Sequence, residues 1–521
     1  MRRNSRDNDM SAAESPHALP ATARVAVIGS GTMGAGIAQV AAVAGHPVQL
    51  YDSRDGAAAK AIADIRASLD KLANKGKITH EQAQGASDRL SVAHALQEMR
   101  DARLVVEAIV EQLAAKQELF GKLEAIVDAQ CILASNTSSI SITQIAATLR
   151  HPERLAGMHF FNPVPMMALV EIIRGVCSDA TVVQCLHDTA LAWGKVPVVA
   201  ASTPGFIVNR LARPYYAEAL RVLNERGAQP ATIDAILRES GGFRMGAFEL
   251  MDLIGHDVNF AVTQSVFQAY FNDPRFTPSL IQQELVHAGF LGRKSGRGFY
   301  RYGEAPETPQ PVTVPAFDTP TVPLQLFGTH PLVEVIRARY QGRVEYCEAR
   351  ADHLLMKAGP GRLYMTGGRS ATQQSYDYNM PDVVLVDLAL DYATAPRLAL
   401  TRADQCRDRA WEAVAGVLQH CGFALSPLQD VPGMVVMRTV CMLINEAADA
   451  VSQGVCSKQD ADLAMQKGVN YPRGPLAWAD AIGVDTVANV LRQLSATYGE
   501  DRYRVAPLLQ RLQASGRKFH E

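Results

Sequence analysis

Part of this 521-residue chain occurs twice, and that limits its folding more than any other feature. Residues 204–257 recur at a constant offset of 228. Pro204–Gly205 matches Pro432–Gly433, Arg210 matches Arg438, Glu218–Ala219 matches Glu446–Ala447, and Asp234 matches Asp462. Gly246, Asp252 and Ile254–Gly255 return as Gly474, Asp480 and Ile482–Gly483. Late in the module, Ser295–Gly296–Arg297 and Phe299 return as Ser515–Gly516–Arg517 and Phe519. So many ungapped matches identify one structural module used twice. Its period is helical: FIVNRLARPYYAEALRVLNERG reads as one long helix, and helical spacing continues to about residue 290.

What precedes the first copy has a different texture. RVAVIG (24–29) and VQLY (48–51) have strand character, as do LVVEAIV (104–110), CILASN (131–136), LAGMHFF (155–161) and LVEII (169–173). Helical patterns run from Gly31 to Val43 and from Gly56 to about Lys77. Strands alternating with helices predict a mainly parallel, doubly wound sheet. Six prolines within 306–323 mark a semi-rigid linker. Between linker and second copy, VVLVDLAL (383–390) and a helical run near 402–420 suggest a shortened second α/β domain. Phe327–Gly328–Thr329–His330 stands where a Gly-rich turn would be, so no cofactor is assigned there. The expected order is α/β: a disordered tail (1–20), a Rossmann-type domain (21–203), a helical domain (204–305), the linker (306–323), a reduced Rossmann-like domain (324–430) and the second helical copy (431–521).

The net charge of −2 does not suggest a nucleic-acid partner. Eight cysteines without CxxC or Cys/His metal spacing argue against disulfides and metal, and fit a reducing cytoplasm. Arg2 and Arg3 lead into no apolar segment, and no run of eighteen apolar residues occurs, so neither a secretory signal nor a membrane span is expected.

The chemistry concentrates before residue 210. Gly29–Ser30–Gly31–Thr32–Met33–Gly34 follows a strand and opens a helix, and Asp52 ends the next strand. This is the context that a dinucleotide fingerprint needs: Gly29 for the tight turn, Gly31 for approach of the pyrophosphate, Gly34 for helix–sheet packing. Asp52 would accept from ribose hydroxyls and repel a 2′-phosphate, favouring NAD over NADP, with Arg54 a mild complication. Ser135–Asn136–Thr137–Ser138–Ser139 closes a strand where ligands bind in such sheets, although capping a helix near Ile142 is the more economical reading of composition alone. His159 and Glu171 flank a short Pro-containing loop. If both flanks are strands, the chain doubles back and sets the carboxylate beside the imidazole, as a general base with its orienting partner. A carboxylate inside LVEII is costly unless it is paired. Asn209 is polar in an otherwise apolar helix start, and the second copy has Met437 there, so the fold does not need the amide.

GSGTMGAGIAQ, LVVEAIVE, SNTSSISIT, HFFNPVPMMALVEI and TPGFIVNR together resemble the L-3-hydroxyacyl-CoA dehydrogenases of fatty-acid and aromatic-acid β-oxidation, over Val25–Tyr300. The resemblance implies NAD-dependent oxidation of a (3S)-3-hydroxyacyl-CoA to the 3-oxoacyl-CoA. It implies His159 as base, Glu171 as its partner, and Ser138 and Asn209 on the reacting oxygen. Glu111, Lys116 and Asn162 would contact NAD beside Gly29, Gly31, Thr32, Met33, Gly34, Asp52 and Ser138, and Ser68 and Lys75 would lie near CoA. The duplicated length is similar to the longer bacterial enzymes of phenylacetate breakdown that act on 3-hydroxyadipyl-CoA or 3-hydroxybutyryl-CoA. In short members the helical module pairs with its twin from another subunit. Here residues 431–521 are therefore expected to pack on 204–300 as an internal pseudo-dimer, and homo-oligomerisation of the full chain stays open. Two other readings are an NAD-dependent dehydrogenase of a small hydroxy acid without CoA, and a catalytically silent NAD-binding scaffold.

Overall fold

The computed structural model describes residues 17–521 apart from 304, 305, 307, 308, 319–323 and 351. Most of the expected tail therefore lies outside the described residues. Two compact units form: residues up to Ile207 with Gly454–Gly468, and Val208–Gln453 with Val469–Glu521.

The first unit is built on strands β1 (Val25–Ile28), β2 (Val48–Tyr51), β3 (Leu90–Val92), β4 (Leu104–Glu107), β5 (Ile132–Ser135), β6 (Leu155–Phe160), β7 (Leu169–Arg174) and β8 (Val196–Ala201). They lie in the order β3-β2-β1-β4-β5-β6-β7-β8, and only β6 and β7 run antiparallel. Covering helices explain why strands such as VAVI are buried at every position rather than at alternate ones. Strands β3 and β8 have no counterpart in the sequence reading: LSV is too short to show a period, and VPVVAA carries a proline. The Lys458–Gly468 helix, taken from the second repeat, packs on β7 and β8, and the Ala201 N–H donates to the Val455 carbonyl at 2.7 Å.

The second unit holds the sheet β9 (Leu324–Phe327), β10 (Val344–Cys347), β11 (Leu354–Ala358), β12 (Gly361–Met365), β13 (Val383–Val386), β14 (Arg397–Arg402) and β15 (Ala424–Pro427). Its order is β10-β9-β11-β12-β13-β14-β15, with antiparallel pairs at β9/β11, β11/β12 and β13/β14. The described part of the proline-rich segment lies along this sheet: the Val314 N–H donates to Leu425 O at 2.8 Å, and Ser426 Oγ donates to Val312 O at 3.0 Å.

The expected long helix over 206–223 is broken. It forms as Val208–Leu211 and Arg213–Asn224, with Pro214 in the first turn of the latter. Proline has no N–H to donate, and its ring crowds the carbonyl one turn back. The matching residue in the second copy is Met442, and there Val436–Ser452 runs unbroken. Elsewhere the copies repeat in detail. Phe206 and Met434 both take positive φ after the Pro-Gly pair, at 46° and 55°. Asp252 accepts from the N–H groups of Phe299 and Tyr300, and Asp480 from those of Phe519 and His520.

Helices Arg213–Asn224 and Val436–Ser452 pack together, tied by reciprocal ion pairs. Arg210 Nε donates to Glu446 at 2.6 Å and its Nη1 to Gln453 at 2.9 Å. In mirror fashion, Arg438 Nε donates to Glu218 at 2.7 Å and its Nη1 to Glu225 at 2.9 Å. Arg275 adds bonds to Glu446 and Asp449. Such charges survive burial only because every one is paired. Replacing Glu446 with Ala leaves two buried guanidinium groups, Arg210 and Arg275, short of a carboxylate. It is expected to lower stability by about 3–5 kcal/mol, read as a fall in the thermal or denaturant midpoint; an unchanged midpoint refutes the pairing argument.

Candidate active site

The turn after β1 shows why its glycines are glycines. Gly29 takes φ +97°, and a Cβ there would lie 2.4 Å from the Ala108 carbonyl. A Cβ on Gly34 would lie 1.8 Å from Gly29 O. Gly31 is different: nothing stands within 4 Å of where its Cβ would be. It precedes the Thr32–Val43 helix without offering a side-chain cap, and the first N–H groups of a helix have no partner within it. In front of it lies a cleft of about 330 Å³ lined by Gly31, Thr32, Ser68, Asn162 and Pro163, among others. Backbone donors at a positive helix end beside a vacant Cβ position fit a dinucleotide pyrophosphate. Met33 turns the other way, half-buried against the core.

Asp52, just past β2, is already well supplied with donors. Its Oδ2 accepts from Ser30 N and Oγ at 2.8 and 2.7 Å, and Oδ1 accepts from Arg54 N and Nε at 3.0 and 3.1 Å. Partial burial works to raise its pKa, but the Arg54 guanidinium and the Ser30 donors prevail and hold it well below the usual carboxylate range. The charge fixes the Gly-rich turn to the end of the neighbouring strand.

A second cluster joins β4 and β5. Lys116, 1% exposed, donates to Glu107 at 2.6 Å and pairs with Glu111 at 3.2 Å. Glu107 also accepts from Ser135 Oγ at 2.6 Å and Ile109 N at 2.7 Å. Glu111 gathers the hydroxyl loop: Thr137 Oγ1 at 2.7 Å, Ser138 N at 2.9 Å, Ser138 Oγ at 3.3 Å and Ser139 Oγ at 3.0 Å. Burial presses the Glu111 pKa upward, yet these bonds and Lys116 hold it below the ordinary value. The economical capping reading is thereby corrected. Ser141 caps the Ile142–Ala146 helix by accepting from Gln144 N, and the hydroxyls of Ser135, Thr137, Ser138 and Ser139 turn to the two glutamates.

His159 and Glu171 face each other directly in the β6–β7 register. His159 Nδ1 lies 2.7 Å from Glu171 Oε2, with both side chains buried, and Glu171 Oε1 accepts from Ile207 N at 2.9 Å. The imidazole packs beside Phe161 and Phe206, at ring distances of 4.6 and 5.9 Å. Asn136 Oδ1 accepts from Phe160 N at 2.8 Å and so links the hydroxyl loop to the strand carrying His159. The loop after β6, with a cis Asn162–Pro163 bond, is tied down by Lys195, whose Nζ donates to the carbonyls of Val164 and Met167 at 2.6 and 2.9 Å.

The first unit thus brings together His159 with Glu171, and Glu111 with Lys116 and Ser138. It gathers Gly31, Thr32, Ser68 and Asn162 around one cleft. Lys75 ends the Ala57–Asn74 helix, exposed and about 10 Å along it from Ser68. Asn209 lies in the second unit, on the Val208–Leu211 helix. The sequence reading missed Glu107 and Lys195, and it named Thr137 only within the hydroxyl cluster. The signal that singled out Glu171 in LVEII, a carboxylate inside an apolar strand, is equally present at Glu107 in LVVEA.

Comparison with known proteins agrees along most of the chain. Residues 24–203 match the 3-hydroxyacyl-CoA dehydrogenase NAD binding domain, and residues 205–302 and 433–519 both match the C-terminal domain of that family. Residues 363–432 match the 3-hydroxybutyryl-CoA dehydrogenase reduced Rossmann-fold domain. The chain is 44% identical over 486 residues to the 3-hydroxyadipyl-CoA dehydrogenase of Escherichia coli (strain K12), covering 93% of this chain and 96% of that one. It is 40% identical to a probable 3-hydroxybutyryl-CoA dehydrogenase of Bacillus subtilis (strain 168), over 54% of this chain and 98% of the relative. A crystal structure of 3-hydroxybutyryl-CoA dehydrogenase from Escherichia coli K12 superposes with a TM-score of 0.86 at 43% identity, covering 95% of this chain and 99% of that one. The chain belongs to the 3-hydroxyacyl-CoA dehydrogenase family, and its first unit carries that family's NAD-binding domain.

Proposed function

We propose that the chain oxidises a (3S)-3-hydroxyacyl-CoA of short acyl chain, 3-hydroxyadipyl-CoA or 3-hydroxybutyryl-CoA, to the 3-oxoacyl-CoA at the His159–Glu171 pair. The observation that carries this is the 2.7 Å contact between His159 Nδ1 and Glu171, buried and opposed across two strands. It leaves Nε2 for the substrate. NAD, bound in the cleft at Gly31, supplies the hydride acceptor. As the C3 hydroxyl becomes a carbonyl, its C3 hydrogen leaves with the electron pair and its O–H proton passes to His159 Nε2. Glu171 then faces an imidazolium through a charge-assisted hydrogen bond, which stabilises that state where water does not reach. Ser138 and Asn209 are assigned to the reacting oxygen, Asn162 and the Glu111–Lys116 network to the cofactor, and Ser68 and Lys75 to CoA. The substrate reading is tested by following NADH formation with 3-hydroxyacyl-CoA and with the free hydroxy acid. Turnover of the free acid alone refutes it.

His159→Ala is expected to lower kcat by at least ~100-fold with NAD binding nearly intact, because removing a general base costs ~10²–10⁴. Glu171→Gln is expected to lower kcat as well. Near-normal turnover in His159→Ala removes the histidine from the mechanism.

Asp52 assigns the cofactor. Its carboxylate accepts from ribose hydroxyls and repels a 2′-phosphate, so kcat/KM with NAD is expected to exceed that with NADP by a wide margin, and Asp52→Ala to narrow the gap. A wild-type preference for NADP would place Arg54, which already sits on this carboxylate, in control.

The domain boundaries at 203/204, 306–323 and 430/431 are likewise proposed, as is an intracellular, cytoplasmic setting. All eight cysteines are free, and no helix among the described residues is long and apolar enough to cross a membrane. We further propose that the second helical copy is an internal substitute for a partner subunit, supported by the reciprocal Arg210–Glu446 and Arg438–Glu218 pairs. A chain ending at Tyr302 is then expected to dimerise or precipitate on purification. Its recovery as a monomer as heat-stable as the full chain, by light scattering and thermal melts, is the contrary result.

A further inference from the structure

Lys195 is a buried ammonium that meets no carboxylate among the described residues. It is 7% exposed, and burial presses its pKa below that of a free lysine. Its Nζ donates instead to two carbonyls of one loop, Val164 O at 2.6 Å and Met167 O at 2.9 Å. The other buried lysine of the first unit, Lys116, has two glutamates beside it. Neutral acceptors offset the burial of a charge less well than a carboxylate does. A lysine kept in such a place serves the loop that it holds more than its own stability.

The duplication shows that the fold does not demand this lysine. The offset of 228 extends back to the turn that carries it: the helix Ala180–Ala192 corresponds to Asp408–His420, and Gly194, at φ +71°, to Gly422, at +87°. In both turns the next N–H donates back into the last turn of the helix, Lys195 N to Ala190 O and Phe423 N to Leu418 O. The side chain at this position is then Lys195 in one half and Phe423, also buried, in the other. One half fills the place with an apolar ring. The half that carries the Gly-rich turn fills it with an ammonium.

The loop that Lys195 holds is a wall of the cleft at Gly31, which Asn162, Pro163, Val164 and Pro165 line together with Thr32 and Gly36. Val164 is held twice. Its carbonyl accepts from Lys195, and its side chain sits so close to the Thr32–Val43 helix that a Cβ on Gly36 would lie 2.7 Å from Val164 Cβ. His159 is fixed by other means, through the pairing of β6 with β7 and through Glu171. We propose that Lys195 is a positioning residue for the cofactor: by holding the Val164 and Met167 carbonyls it keeps the 162–165 wall, and Asn162 with it, at the distance from the Gly-rich turn that a bound dinucleotide requires. This rests on the reading above that NAD occupies the cleft and meets Asn162. Lys195 is not among the residues that line the cleft, so it acts through the loop.

The test reads NADH affinity directly, from the fluorescence of bound NADH, on the full chain without acyl substrate. Lys195→Met is expected to weaken it roughly tenfold, the loss of charge-assisted bonds to the wall, with Lys195→Arg, which keeps charge and donors, nearer to wild type. In the NADH-formation assay KM for NAD is expected to rise by a similar factor, while kcat at saturating NAD stays within about threefold, because a lost binding contribution moves KM and the His159–Glu171 pair does not depend on the loop. A lysine that only stabilised the fold would lower the melting midpoint and leave NADH affinity and KM unchanged; that result overturns the proposal. If Lys195→Met does not fold, Gly36→Ala presses on the same wall from the side of the helix and is expected to weaken NADH binding too. Wild-type affinity in Gly36→Ala shows that the wall's position does not matter to the cofactor and overturns the proposal as well. Normal NADH binding by wild type without turnover of a 3-hydroxyacyl-CoA removes the substrate reading and leaves Lys195 in its role, whereas failure of wild type to bind NADH removes both.

Discussion

A carboxylate buried in an apolar sheet has to be given partners, and both sheets are organised around that requirement. Glu107 at the end of β4 is met by Lys116, Ser135 and the Ile109 N–H. Glu171 in β7 is met by His159 and the Ile207 N–H. Asp387, directly after β13, accepts from three consecutive N–H groups, Val435, Val436 and Met437, where the Val436–Ser452 helix begins. Complete burial nevertheless pushes its pKa up to about 6. Each acid costs several kcal/mol if left alone, so each recruits the lysine, the histidine or the helix start that its surroundings require. In the first unit that recruitment also assembles the groups assigned to the chemistry.

Duplication separates what the fold needs from what this site adds. In both halves an antiparallel strand pair is followed by a parallel last strand, β6–β7–β8 and β13–β14–β15. In both, a carboxylate holds the N–H that follows the Pro-Gly turn, at Ile207 and, 228 residues on, at Val435. The first half takes that carboxylate from the second strand of the pair and leaves the first strand free to present His159. The second half takes it from the end of the first strand, and no imidazole stands beside it. Its turn after β9 places Gly328 at φ +68° and then caps a helix with His330, without the glycine spacing that admits a pyrophosphate. The same subtraction isolates Asn209 and Arg213 from the framework: Met437 and Cys441 fill the matching positions, and the Cys441 thiol donates to Met437 Sδ at 3.7 Å.

The helices that cover the sheets follow an exchange of the same kind. The Pro230–Glu239 helix of the first repeat packs on β14, and Ser240 Oγ donates to Arg397 O at 2.8 Å. Its counterpart in the second repeat, Lys458–Gly468, covers β7 and β8. Each repeat thus closes the sheet of the other half. The cross-helix arginine–glutamate pairs hold the two repeats in one register, because a shift would leave several buried charges unpaired at once.

Much of this was legible in the chain. The offset of 228 determined that a module is used twice, and Gly29, Gly31, Gly34 and Asp52 in their spacing determined a dinucleotide-type turn, since few backbones tolerate that pattern without it. The cost of an acid in LVEII was enough to tie Glu171 to His159 before any register was known. Local periodicity misplaced the long helix, because a proline one residue past a helix start and one inside a helix look alike in sequence. It overlooked β3, too short to show a period, and β8, whose valines are interrupted by a proline. Which hydroxyl caps a helix and which serves Glu111 depended on distances of a few ångströms between β4 and β5, which sequence spacing does not carry. Which arginine meets which carboxylate, Arg210 with Glu446 and Arg438 with Glu218, was decided only by tertiary structure, because pairing is a property of the folded interior, where water no longer solvates each charge and every partner becomes specific.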